Sequence, residues 1–201
     1  MKKINISCVI TTHNRDEYLK GAVYSALNQT HPPIEIVISN NIPNKKTQAI
    51  VELIAEKSSV PIHYIEHSMK GQGAISANLA VSKCEGDYIA FCDADDLWHK
   101  NKLEIQISYM KKNKLNFSHT SYKIINYYGK IIGKFRIKNE LNYQFLLRSC
   151  DIATSSVVIS KNIFKKKVSF SSFKTKEDYS LWLKIVKKEK RLYGINVNLL
   201  F

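Results

Sequence analysis

The sequence predicts one mixed α/β domain over residues 1–201, with a mostly parallel sheet flanked by helices. Three observations carry the prediction. Short β-branched runs alternate with stretches of helical period through the first hundred residues, turn residues mark each change, and neither an internal repeat nor a Gly-, Pro- or Ser-rich linker interrupts the chain. At 201 residues, 44% hydrophobic and 24% charged, the chain is long enough to bury a core and too apolar for disorder.

Taken in order, residues 4–11 alternate as a strand and run into the polar turn His13-Asn14-Arg15-Asp16. Residues 17–29 read as a helix with Leu19, Val23, Ala26 and Leu27 on one face, stopped by Pro32-Pro33. Strand 34–39, helix 46–57 (Ile50, Val51 and Ile54 inward), strand 61–65, helix 74–84 and strand 87–92 follow, with Gly86 ending the last helix. Strands joined by helices run parallel, and such sheets bind ligands at the strands' carboxyl ends. Two loops at such ends, 11–15 and 93–96, are unusually polar. Beyond residue 100 a helix at 102–113 precedes strand-like pieces at 117–125, 130–135 and 155–160 without crossover helices, which predicts antiparallel additions. A helix at 178–190 with Leu181, Trp182, Ile185 and Val186, then a strand at 192–201, complete the reading.

Composition excludes several classes. No apolar run approaches the ~20 residues of a spanning helix, and Met1-Lys2-Lys3 leads into a stretch too short and too polar for a signal peptide, so the cytosol is the expected compartment. Cys8, Cys84, Cys92 and Cys150 lie far apart, three of them in apolar runs, and predict reduced thiols rather than disulfides or a zinc site. Residues 1–100 hold 10 Lys and Arg against 11 Asp and Glu, net −1, whereas residues 101–201 hold 21 against 6, net +15. That asymmetry fits either a polyanionic partner, such as an anionic membrane face, or a lysine-rich solvated surface.

The sharpest feature is Asp93-Ala94-Asp95-Asp96, three carboxylates in four residues after a hydrophobic strand. Like charges so confined are costly unless a cation or sugar hydroxyls compensate them, and oxygen-only ligands suit Mn²⁺ or Mg²⁺. One of the three as a cap for a helix entered near Leu97-Trp98 is the plainer alternative. Gly71-Gln72-Gly73 does not follow the first strand, so it reads as a loop rather than a dinucleotide fingerprint, and of the six histidines only His13 sits where a ligand would be.

These residues carry a resemblance. Tyr88-Ile89-Ala90-Phe91-Cys92-Asp93-Ala94-Asp95-Asp96-Leu97-Trp98 resembles the D-x-D segment of the family 2 inverting glycosyltransferases, which have the GT-A fold. Val9-Ile10-Thr11-Thr12-His13-Asn14-Arg15 with Leu27-Asn28-Gln29-Thr30 resembles that family's opening strand and nucleotide loop, and Glu177-Asp178-Tyr179-Ser180-Leu181-Trp182-Leu183 its late E-D-x-x-L-W motif. The resemblance implies a single glycosyltransferase domain, with residues 1–100 a nucleotide-binding half ending at D-x-D and 101–201 an acceptor-side half. It implies inverting transfer from a nucleotide-diphospho-sugar, with UDP the expected nucleotide, to a glycan or lipid-linked acceptor in bacterial surface polysaccharide synthesis. Asp95 would hold the metal, Asp93 would accept from the ribose, Thr11, His13, Arg15 and Asn40 would complete the donor site, and Asp178 would be the general base. An N-cap is the alternative role for Asp178, and Trp182 and Tyr179 fit either the acceptor site or the core.

Two departures from the family pattern stand out. Ser39-Asn40-Asn41 replaces its usual Asp pair, and because an amide both donates and accepts, uracil is expected while other bases stay open. Ser76-Ala77-Asn78 lacks the Arg of its A-R-N segment, a cation that Arg15 or Lys70 would have to supply. Family members commonly continue past the E-D helix, whereas this sequence stops at Leu199-Leu200-Phe201, so a catalytically impaired relative is one alternative reading. A basic nucleic-acid-binding module is another, but carboxylates repel phosphates and the lysines lack aromatic interleaving, so no nucleic-acid partner is expected.

Overall fold

The computed structural model describes residues 4–68, 73–165, 168–173 and 175–201. The first half follows the predicted order: β1 (Ile6–Thr12), α1 (Asp16–Leu27), β2 (Glu35–Asn40), α2 (Lys45–Ala55), β3 (Ile62–Glu66), α3 (Gly73–Lys83), β4 (Tyr88–Asp93) and α4 (Lys102–Asn113). Then come β5 (Phe117–Ile125), β6 (Ile131–Phe135), β7 (Glu140–Asn142), α5 (Tyr143–Leu146), β8 (Val158–Ser160), α6 (Asn162–Lys165), α7 (Glu177–Glu189) and β9 (Arg191–Leu200). The expected strand at 155–160 divides into a 3-10 turn, Thr154–Ser156, and β8.

One mixed sheet runs β3-β2-β1-β4-β8-β5-β9-β7, with β6 paired to β5. Strands β3, β2, β1 and β4 are mutually parallel, as helical crossovers require. β8 runs antiparallel to both β4 and β5, β6 antiparallel to β5, and β7 antiparallel to β9. The last strand, whose orientation the sequence left open, pairs with β5 in parallel, because helix α7 carries the chain back before β9 enters the sheet.

Alternation along the strands supplies a core on each face. Ile6, Cys8 and Ile10 face Leu19, Val51, Leu103 and Met110 from α1, α2 and α4. Val9, Val37 and Phe91 face Ala77, Val81, Leu181 and Trp182 from α3 and α7. Cys8, Cys84 and Cys92 are buried, Cys150 is exposed, and all four are free thiols. Among the described residues no helix is long and apolar enough to cross a membrane.

Because β2 and β3 lie on one side of β1 and β4 on the other, the chain reverses its winding between β1 and β4. In such sheets this is where a crevice opens at the carboxyl ends. Thr11 and Asp93 are register partners there.

Candidate active site

At that crevice Thr11 Oγ1 donates to Asp93 Oδ1 at 3.2 Å, and the Asp93 amide donates to Ser155 Oγ at 2.8 Å. Burial pushes the Asp93 carboxyl up to about 7, with Asp96 and Asp95 adding like-charge repulsion. A cleft of about 260 Å³ opens beside it, with Val9, Phe91 and Ala77 as apolar lining and Asp178 contributed by α7. Asp178 Oδ2 accepts from Thr154 Oγ1 at 2.9 Å and Oδ1 from the Tyr179 amide at 2.7 Å. It therefore lies in the first turn of α7 and does not cap it; the cap position belongs to Lys176, in the left-handed region at φ 62°. Glu177 closes the cleft over Gly73, where a Cβ would come 2.8 Å from Glu177 Oε1.

The acidic turn is shaped by a distant strand. Asp96 N donates to Asp93 O at 3.0 Å, after which Leu97 and Phe201 exchange two backbone bonds of 2.8 Å and His99 N donates to Leu199 O at 3.0 Å. Held as an added ladder rung, residues 97–99 start no helix, so the capping role considered for this turn is absent; α4 begins only at Lys102. Burial pushes Asp96 up to about 6. Asp95 instead points to solvent and pairs with Arg15, Nε to Oδ2 at 3.2 Å. Among the described residues no group of three or more His, Cys, Asp or Glu side chains is placed to hold a metal ion. The oxygen-only set of this turn nevertheless fits a hard divalent ion of the kind held by one or two carboxylates while it shares a substrate's phosphates.

The remaining expected donor residues sit along the neighbouring strand ends. His13, exposed, shares a 2.6 Å hydrogen bond between Nδ1 and Asn41 Oδ1, just before Asn14 turns the chain at φ 52°. Asn40 is fully buried: Oδ1 accepts from Ile42 N at 3.1 Å, and Nδ2 donates to the Tyr64 hydroxyl at 3.0 Å. The structure thus brings Thr11, Asp93 and Asp178 to one cleft and Arg15 to Asp95, and it occupies the Asn40 amide with Ile42 N and the Tyr64 hydroxyl. Lys70 and Gly71-Gln72 lie outside the described residues. Trp182 is core, fully buried, whereas Tyr179 lines a surface groove.

Sequence reasoning passed over Thr154, which holds Asp178, and two buried polar atoms beside the cleft face of the sheet. Among the described residues Ser39 Oγ and His67 Nδ1 have no hydrogen-bond partner, although His67 Nε2 meets Ser76 Oγ at 2.7 Å. Ser39 is the register partner of Thr11, a pairing across strands that alternation within one strand does not reveal.

Comparison with solved structures agrees with this architecture. The chain superimposes on TarS 1–349 of S. aureus in complex with UDP at TM-score 0.79, 19% identity, covering 98% of this chain and 60% of that one. It also matches the mannosyltransferase PcManGT from Pyrobaculum calidifontis, solved with GDP-Man and Mn²⁺, at TM-score 0.74 and 13% identity, covering 97% of this chain and 55% of that one. These likenesses show a GT-A fold. The model of Glycosyl transferase family 2 matches residues 7–170, and the chain belongs to that family. A relative from Escherichia coli, the UDP-Glc:alpha-D-GlcNAc-diphosphoundecaprenol beta-1,3-glucosyltransferase WfgD, is 34% identical over 191 residues, which cover 95% of this chain and 73% of that protein.

Proposed function

We propose that this glycosyltransferase moves a sugar, with inversion, from a UDP-sugar to a lipid-diphosphate-linked glycan acceptor in bacterial surface polysaccharide synthesis, at the cytoplasmic face of the membrane. The observation that carries the reading is Asp178, fixed by Thr154 and facing Asp93 across the cleft at the β1–β4 switch. An acceptor hydroxyl attacks the anomeric carbon, its proton passes to Asp178, and the bond from that carbon to the diphosphate oxygen breaks as UDP leaves. A bound Mn²⁺ or Mg²⁺ would neutralise charge growing on the diphosphate. Asp95 would hold that ion in place of its pairing with Arg15, while Asp93 would accept from the ribose and His13, Asn40 and Thr11 would frame the nucleoside.

Residues 1–100 then form the donor half and 101–201 the acceptor half. On the acceptor side, Tyr143, Phe173, Tyr179 and Leu183 line a groove edged by Lys184 and Lys187, and the groove shares Lys176 with the Asp178 cleft. An apolar floor with a cationic edge suits a lipid diphosphate, and the acceptor named for WfgD is of that class.

The test is donor hydrolysis across a panel of nucleotide-sugars, paired with UDP calorimetry with Mn²⁺ or with EDTA. UDP-sugars should be consumed, UDP affinity should fall at least tenfold in EDTA, and Asp95→Ala should erase that difference. Equal affinity in both conditions would remove the metal from the account, and consumption of no donor would overturn the transfer reading.

A further inference from the structure

Between Glu104 and Glu140 the chain holds no acidic residue, whereas Lys and Arg occupy 111, 112, 114, 123, 130, 134, 136 and 138. The β5–β6 hairpin lies inside this stretch and carries an unusual concentration of exposed apolar side chains: Tyr128 is 88% exposed, Tyr127 71% and Ile132 64%, with Ile131 also exposed. The tip is nonetheless ordered by its own bonds. Asn126 Oδ1 accepts from Tyr128 N and Lys130 N at 3.0 Å each, Asn126 N donates to Lys130 O at 2.9 Å, and Gly129 takes φ 75° to close the turn. Among the described strands β6 pairs only with β5. Lysines on an edge strand blunt unwanted pairing, but they do not account for tyrosines and isoleucines held out in water beside them.

We infer that the β5–β6 hairpin is an interfacial anchor that seats the protein on an anionic lipid surface. Tyrosine is favoured at the headgroup level, isoleucine below it, and lysines reach back to lipid phosphates from long apolar stems. A rigid tip spends little ordering entropy on insertion. A second copy of the chain is a poor occupant, because it would set one acid-free, cationic surface against another. Ile125, Asn126, Tyr127 and Gly129 also wall a cleft with Asp95, Asp96 and Arg15, so a seated hairpin would place the acidic turn at the bilayer surface. The inference rests on the lipid-linked acceptor reading for its purpose but not for its test, since vesicle binding requires no donor.

The test is co-sedimentation with vesicles of phosphatidylcholine alone and of equal parts phosphatidylcholine and phosphatidylglycerol. The unaltered protein should partition at least tenfold more strongly to the mixed vesicles, and salt should weaken it. Tyr128→Ser with Ile132→Ser, neither of which lines the cleft, should lower partitioning about tenfold, and Lys130→Ser with Lys134→Ser should do so comparably at low salt. Melting temperature and donor hydrolysis should be unchanged in both pairs. Equal binding to neutral vesicles, unaltered binding by the Tyr128/Ile132 variant, or a lipid-free dimer that this variant dissolves would each overturn the inference. Absent donor hydrolysis with intact vesicle binding would instead fault the transfer reading alone.

Discussion

Asp178 is held by two hydrogen bonds, from Thr154 Oγ1 and from the Tyr179 amide, which fix its carboxylate at the cleft. Asp178→Asn keeps the size and an acceptor for Thr154 but cannot take a proton, so sugar transfer should fall by roughly 10²- to 10⁴-fold. UDP affinity and melting temperature should barely change, and Glu177→Gln should retain most activity. Full transfer by Asp178→Asn would move the base elsewhere. At this scale the sequence singled out Asp93 and Asp95 because carboxylates crowded at a strand end demand an explanation, and Asp178 only through the resemblance of its E-D motif; the roles of all three are proposals. It did not make Asn40 legible. Its position at the end of β2 was readable, but the engagement of its amide by Ile42 N and the Tyr64 hydroxyl depends on contacts across strands that no local pattern encodes. Ser39 and His67 escaped for the same reason.

Among the elements, α4 carries a residue its period did not flag. Lys102 is fully buried, its Nζ donating to Gln106 Oε1 at 2.7 Å and lying 4.5 Å from the Trp98 ring centre. Burial lowers its pKa to about 7, and the nearby Cys8 and Cys92 thiols, pushed upward by burial, remain neutral and give no counter-charge. Below about 7 both folded and unfolded chains hold the proton and the cost of a buried charge is paid in full. Between there and the unfolded value of about 10.4 only the unfolded chain binds it, so stability rises with pH. Urea unfolding at a series of pH values from neutral to alkaline should show that rise in the unaltered protein and a flatter profile in Lys102→Met. Matching profiles would mean that Lys102 stays charged in the fold. On β9, Gly194 passes so close to β5 and to the segment joining β6 to β7 that an added Cβ would run into Ile137 Cδ1 and stand 2.8 Å from both His119 Nε2 and Lys138 O. Gly194→Ala should therefore cost ~1–3 kcal/mol or more, read as a lower urea midpoint; an unchanged midpoint would show that this approach relaxes freely. The α1–α4 and β1–β4 series was legible because each helix repeats its period for 11 or 12 residues. Elements of three or four residues, β7, α5 and α6, are too short to show any period.

Over the whole molecule, the two halves differ in kind. Residues 1–100 build a regular parallel layer from local strand-helix units, whereas residues 101–201 complete the sheet with short strands whose partners lie far off in sequence, β5 with β9 above all. Charge follows the same division, net −1 against net +15, so acidic chemistry and cationic surface are separately encoded and meet only in the fold. The backbone bonds that join Leu97 to Phe201 give this meeting a timetable. On a ribosome the acidic turn emerges roughly a hundred residues ahead of the strand that ties it down, about 5–20 s at ~5–20 residues per second. During that interval the donor half can collapse around β1–β4, but Leu97 and His99 have no partner strand and the three carboxylates have no fixed spacing. Translation of β9 thus sets the moment at which the nascent chain acquires its finished acidic turn, long after the residues of that turn were made.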